Sequence, residues 1–149
     1  MLGTTRHVGL SLPLIQDSFV SVQPSSEWLI KLVLTALTLG VGFKGGEVTP
    51  LFCIGATLGS ALALVIPLPV GLLAALGFVA VFAAAANIPL TCTVLAMELF
   101  GPEVGVWAGV ACACAWVCSG HSGIYAAQRI ATAKPFTTPV AHGTRLHDL

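Results

Sequence analysis

The chain has 149 residues, of which 56% are hydrophobic and 8% charged, far from the averages of soluble globular domains. Six basic and six acidic residues cancel to a formal net charge of zero, so the basic face that nucleic-acid binding requires is absent and nucleic acid is excluded as a partner. Residues 48–97 run fifty positions without Asp, Glu, Lys or Arg, whereas one bilayer crossing needs about 20 apolar residues, so we expect an all-α integral membrane protein in contact with the lipid bilayer.

Residues 1–26 carry Arg6, His7 and Asp17 in a mixed sequence that lacks the pattern of a cleaved signal peptide, and they read as a partial preceding helix and loop. A membrane helical domain is expected over 27–133, cut into pieces by proline and glycine. The first piece, 27–43, has Trp28 and Lys31 near its start and is just long enough to span. The second, 50–66, follows the Lys44-Gly45-Gly46-Glu47 break, ends at Pro67 and Pro69, and is also near spanning length. The third, 70–86, stops at Asn87 before Pro89, because the residue preceding a proline disfavours helix and the ring ends it.

The fourth piece, 89–100, gives about 18 Å of helix against a hydrocarbon core of about 30 Å, so it enters the membrane only part way. Pro102 opens a fifth piece over 103–118, and a short sixth is expected over 124–133 after the Ser119-Gly120-His121-Ser122-Gly123 break. Residues 134–149 form a polar C-terminal tail. Five or six tilted, partial or broken helices leave backbone groups unpaired at membrane depth, which is tolerated where protein or a water-filled path satisfies them. That points to a transporter or channel, with a simple helical bundle as the alternative. Gly55, Ala56, Gly59, Ser60, Ala61 and Ala63, and later Ala83 to Ala86, supply the small side chains that let membrane helices approach closely.

The five cysteines lie in apolar stretches, and their odd number and placement argue against a disulfide framework. On a helix Cys112 and Cys114 point about 200° apart, with no His or acidic residue close by them, so neither a metal nor another cofactor is expected.

The most informative segment is Gly40-Val41-Gly42-Phe43-Lys44-Gly45-Gly46-Glu47-Val48-Thr49-Pro50, a polar, glycine-rich break between apolar runs. The helix after it begins with N–H groups lacking intrahelical partners and with the positive end of its dipole, a ready anion site. The formal Gly40-x-Gly42-x-x-Gly45 match to a dinucleotide fingerprint has no βαβ unit around it and is set aside.

Gly45-Gly46-Glu47-Val48-Thr49-Pro50, followed by Leu51-Phe52 and Ile54-Gly55-Ala56-Thr57-Leu58-Gly59, resembles the anion-binding segment of the CLC family of chloride channels and anion/proton antiporters. Most chloride-handling members read roughly Gly-x-Phe-x-Pro there. Here the phenylalanine is absent, and Glu47 with nearby Thr49 resembles the fluoride-selective bacterial branch. Gly9 to Pro13 and Leu34 to Gly40 fit the preceding helices. Ala86-Asn87-Ile88-Pro89-Leu90-Thr91 and Glu98-Leu99-Phe100-Gly101 fit the family's Pro-Leu-Thr helix, and Tyr125 falls where the family places an anion-coordinating tyrosine.

The resemblance covers about residues 9–134 and implies the C-terminal half of an inverted-repeat fold that passes chloride or fluoride, as channel or antiporter, with a proton as coupled ion. It implies Gly45, Gly46, Glu47, Val48, Thr49 and Tyr125 as anion-binding residues and Glu47 as the proton-coupling candidate. It also implies a homodimer in a bacterial inner membrane. The family's serine-containing and gating-glutamate loops are not present, so Met1 is expected to begin within a longer ancestral protein, leaving a missing N-terminal half or an inactive remnant. Lys134 and Arg145, with Arg129, favour a cytoplasmic C-terminus.

Four residues carry a purely structural alternative. Glu47 can cap the next helical turn through its carboxylate, and Thr49 can cap a helix that Pro50 begins. Tyr125 can anchor at the membrane interface, and Glu98 can reach interfacial water. An enzyme is not expected. The distant alternative is a rhomboid-like intramembrane serine protease built on Gly120-His121-Ser122-Gly123, with only His142 and His147 downstream to act as base.

Overall fold

The computed structural model describes residues 9–43, 45–120 and 123–125. These fold into α1 (Leu12–Val20), α2 (Ser25–Gly40), α3 (Val48–Leu62), α4 (Val70–Ala86), α5 (Pro89–Phe100), a 3₁₀ turn over Pro102–Val104 and α6 (Gly105–Cys118), with no strand among the described residues. The fold is all-α, as expected.

The lengths correct two expectations. The first piece is helical over Ser25–Gly40 and not to residue 43, because the chain closes a Schellman turn there: Gly42 adopts φ +88°, its N–H bonds to the Leu39 carbonyl at 2.9 Å, and the Phe43 N–H bonds to Thr38 at 3.2 Å. The second begins at Val48, two residues before Pro50, because a first-turn N–H has no helical partner to lose and proline is accepted there. It ends at Leu62, where the Ala63, Leu64 and Val65 N–H groups tighten onto carbonyls three residues back. No helix among the described residues is long and apolar enough to cross a membrane unaided.

Helices α4 and α5 match their expected bounds. Asn87, at φ 57°, closes α4 in the left-handed conformation that asparagine tolerates, and Pro89 opens α5. The fifth piece splits, with Pro102–Val104 as the 3₁₀ turn and α6 starting at Gly105. Residues 123–125 are not helical, and the rest of the expected sixth helix lies outside the described residues.

Helix α4, apolar on every side, is the axle of the fold, packing against α1, α3, α5 and α6. Its closest neighbour is α3. A methyl group at Gly55 would run into the Gly77 carbonyl and one at Gly59 into the Leu73 carbonyl. The partners run in opposite order, so the hairpin is antiparallel and the N-terminus of α3 lies beside the C-terminus of α4.

At that end Phe52 stacks on Phe78 at 4.1 Å and meets Phe82 edge-on at 4.9 Å. Phe100 reaches Phe78 from α5 and Phe19 reaches both from α1. Val79, Ala83, Ala86, Cys92, Ala96, Ala108 and Cys112 complete the core between α4, α5 and α6. Cys112 is buried and Cys114 exposed, as residues two apart on a helix must be.

Helix α2 is attached differently. It leans on α3 with one face and leaves Leu29, Leu32, Val33 and Leu37 outward, each more than 40% exposed. The link before it is pinned by Ser60 of α3, whose hydroxyl accepts from the Gln23 N–H at 3.0 Å and donates to the Ser21 carbonyl at 2.9 Å.

Candidate functional site

The α2–α3 turn borders a cavity of about 230 Å³ lined by Lys31, Thr35 and Thr38 on one side and by Gly45, Gly46, Glu47 and Pro50 on the other. Polar groups reach it from both helices. The larger apolar groove, about 680 Å³ between α3, α4 and α6, is bounded by side chains such as Leu62, Leu73, Ala84, Ala115 and Ile124, which offer an anion no hydrogen bond.

Glu47 is the N-cap residue of α3, half-buried, and its carbonyl accepts the first helical bond from the Leu51 N–H at 3.3 Å. Its carboxylate makes no capping hydrogen bond. The structural alternative for Glu47, a side chain closing the turn, is therefore not what the fold uses. Thr49 lies inside the first turn and is not its cap, which removes that alternative as well. Pro50 has no N–H, so the outward donors of this helix start are the N–H groups of Val48 and Thr49, which helical geometry leaves without an intrahelical partner. Donors at the positive end of a helix dipole favour an anion.

Of the expected site residues, Gly45, Gly46 and Glu47 line one cavity, and Val48 and Thr49 continue from it. Tyr125 lies outside that lining and is 45% exposed. Its neighbour Ile124 donates its N–H to the Ala85 carbonyl at 2.9 Å and packs on the core cluster that Val48 and Leu51 also touch, so this segment returns to the same end of the α3–α4 hairpin. Glu98 is exposed on α5, away from the cavity. Ser122, His142 and His147 lie outside the described residues.

Sequence reasoning passed over Lys31, noted only as a residue near a helix start. It is 3% exposed, and its ammonium donates to the Gly9 carbonyl and to the Ser11 hydroxyl, both at 2.8 Å. A lone cation in an otherwise uncharged stretch from Trp28 to Phe43 was the available signal.

Comparison with known proteins decides the family. The profile described as "Voltage gated chloride channel" matches residues 6–120, well over half of the chain. The chain belongs to the voltage-gated chloride channel family. A curated member, the "Chloride/fluoride channel protein" of Pseudomonas syringae pv. tomato, is 53% identical over 144 residues, covering 97% of this chain and 32% of that protein. A solved structure described as a CLC-type fluoride/proton antiporter superposes with a TM-score of 0.77 at 43% identity, over 83% of this chain and 32% of its own.

The chain thus spans about a third of the length of these relatives. Voltage-gated chloride channel proteins are integral membrane proteins, which accounts for the outward apolar side chains. The match takes in the whole α2–α3 turn.

Proposed function

We propose that this chain forms the C-terminal side of an anion pathway that passes fluoride or chloride, with fluoride favoured by Glu47 and Thr49. The carrying observation is that Gly45, Gly46 and an uncapped Glu47 border one cavity at the start of α3. In this reading the N–H groups of the first turn, with the hydroxyls of Thr49 and Tyr125, hold the dehydrated anion. A charged Glu47 repels the anion and a protonated one does not, so anion passage is linked to a proton. The relatives described as a chloride/fluoride channel and a fluoride/proton antiporter support this assignment.

We place the chain in the bacterial inner membrane with a cytoplasmic C-terminus, and as a homodimer, on the family resemblance and on Lys134 and Arg145. Purified chain in liposomes should release fluoride, and chloride more slowly, with the rate answering to a proton gradient. Folded protein that moves neither ion rejects transport by these 149 residues. The match to a third of each relative favours one second reading, that the chain binds the anion but moves it only with the remainder of a longer protein.

A further inference from the structure

Helix α4 ends in a way that leaves one of its carbonyls to a distant part of the chain. Asn87 closes the helix at φ 57° and ψ 37°, and the Ala83 carbonyl accepts from both the Asn87 N–H and the Ile88 N–H, the latter at 3.3 Å. In a continuing helix the Ala85 carbonyl would receive its bond from residue 89, but that residue is proline and has no N–H to give. A helix carried on through Pro89 would also drive the ring into that same carbonyl. The left-handed turn at Asn87 takes the chain off the helical path before this clash, and the Ile124 N–H meets the Ala85 carbonyl at 2.9 Å.

Ile124 precedes Tyr125, the one tyrosine of the chain. Its side chain packs on the core cluster that holds Ala83 and Ala86 and that Val48 and Leu51 also touch. One backbone bond and one side chain thus fix the residue before Tyr125 to the end of α4 that lies beside the start of α3. Tyr125 itself is 45% exposed, so its place is set through this neighbour more than by burial of its own ring.

Resting on the reading of Tyr125 as an anion ligand, we infer that Asn87 is a positioning residue for it: by ending α4 in the left-handed conformation, Asn87 leaves the Ala85 carbonyl to Ile124 and so sets where the Tyr125 hydroxyl stands relative to the first turn of α3. The effect runs through the backbone. What the position requires is positive φ, which glycine and asparagine adopt and alanine resists. Capping α4 for stability alone is the competing role, and the two make different predictions.

Fluorotyrosine incorporated into the full detergent-solubilised chain labels Tyr125 alone, so one fluorine NMR resonance reports its surroundings. Asn87→Ala should shift that resonance toward its position in an unstructured peptide, and Asn87→Gly should leave it as in the parent. Calorimetric titration of sodium fluoride into the unlabelled proteins adds the functional reading. Tyr125→Phe should weaken binding about tenfold, Asn87→Ala about fivefold and Asn87→Gly less than about twofold, because a hydrogen bond to an ion is stronger than a neutral one. In the Tyr125→Phe background Asn87→Ala should cause no further loss, since both changes act through one hydroxyl.

A cap that only stabilised α4 would weaken binding as much in that background as alone. Such additivity, an unmoved resonance in Asn87→Ala, or equal effects of Asn87→Ala and Asn87→Gly overturns the inference. Should Asn87→Ala not fold, Ile124→Pro is compared with Ile124→Ala: both lose the packing and only proline loses the N–H, so proline should move the resonance further, and identical spectra overturn the inference. If the parent does not bind fluoride, or Tyr125→Phe binds like the parent, the reading of Tyr125 as a ligand fails, and the fluorine spectra still decide whether Asn87 places Tyr125.

Discussion

Two sets of glycines flank one helix for opposite reasons. In the body of α3, Gly55 and Gly59 lie so close to α4 that a methyl group would enter the Gly77 or Leu73 carbonyl. In the approach to α3, a methyl group on Gly45 or Gly46 would meet nothing within 4 Å. The first set brings backbone to backbone, the means by which helices associate where lipid offers no hydrophobic drive. The second keeps a cavity open beside a helix start. One residue type thus supplies the rigid part of the molecule, within α3, and its chemically available part, just before α3 begins.

The same small substitution breaks or spares the molecule according to side. Gly59→Ala should cost about 3 kcal/mol, since carbonyl backbone cannot move aside as a flexible side chain can. Thermal unfolding followed by circular dichroism in detergent reads this directly, and an unchanged midpoint would mean that α3 and α4 are farther apart than described.

The two regions were also unequally legible in sequence. Small residues marked α3 and α4 as closely packed, but not which glycine meets which carbonyl, because pairing of helices depends on contacts that no local pattern encodes. Helix ends set by proline or asparagine, as at Asn87 and Pro89, were readable to the residue, as was the end at Phe100 before Gly101 and Pro102. Ends set by backbone turns were not: hydrophobicity continues through Val65 and Ile66 after the helix has stopped at Leu62, and Phe43 lies beyond the Gly42 turn.

At the site, Gly45, Gly46 and Glu47 were legible because a polar break in apolar sequence is conspicuous. Lys31 was not, since its relation to Glu47 arises only when α2 folds back across the turn. The free carboxylate of Glu47, rather than a capping one, likewise needed the geometry of the first turn.

Glu47→Gln tests the chemical side of the comparison at an intermediate scale. The glutamine variant, which lacks the repelling charge, should bind fluoride about tenfold more tightly than the parent, equivalent to about 1.4 kcal/mol. Titration calorimetry measures this, and a variant that binds no more tightly than the parent would mean that the charge of Glu47 does not act on the anion.

Gly46→Ala should give the smallest effect. Its backbone does not adopt the left-handed conformation and open space surrounds it, so alanine fits without strain and reduces the freedom of the unfolded chain. Stability should be unchanged or raised by about 0.5 kcal/mol in the same thermal unfolding. A loss as large as that of Gly59→Ala would show this approach to be as tightly packed as the hairpin. With no space left beside Glu47, the anion would have to be held on the other side of α3's first turn.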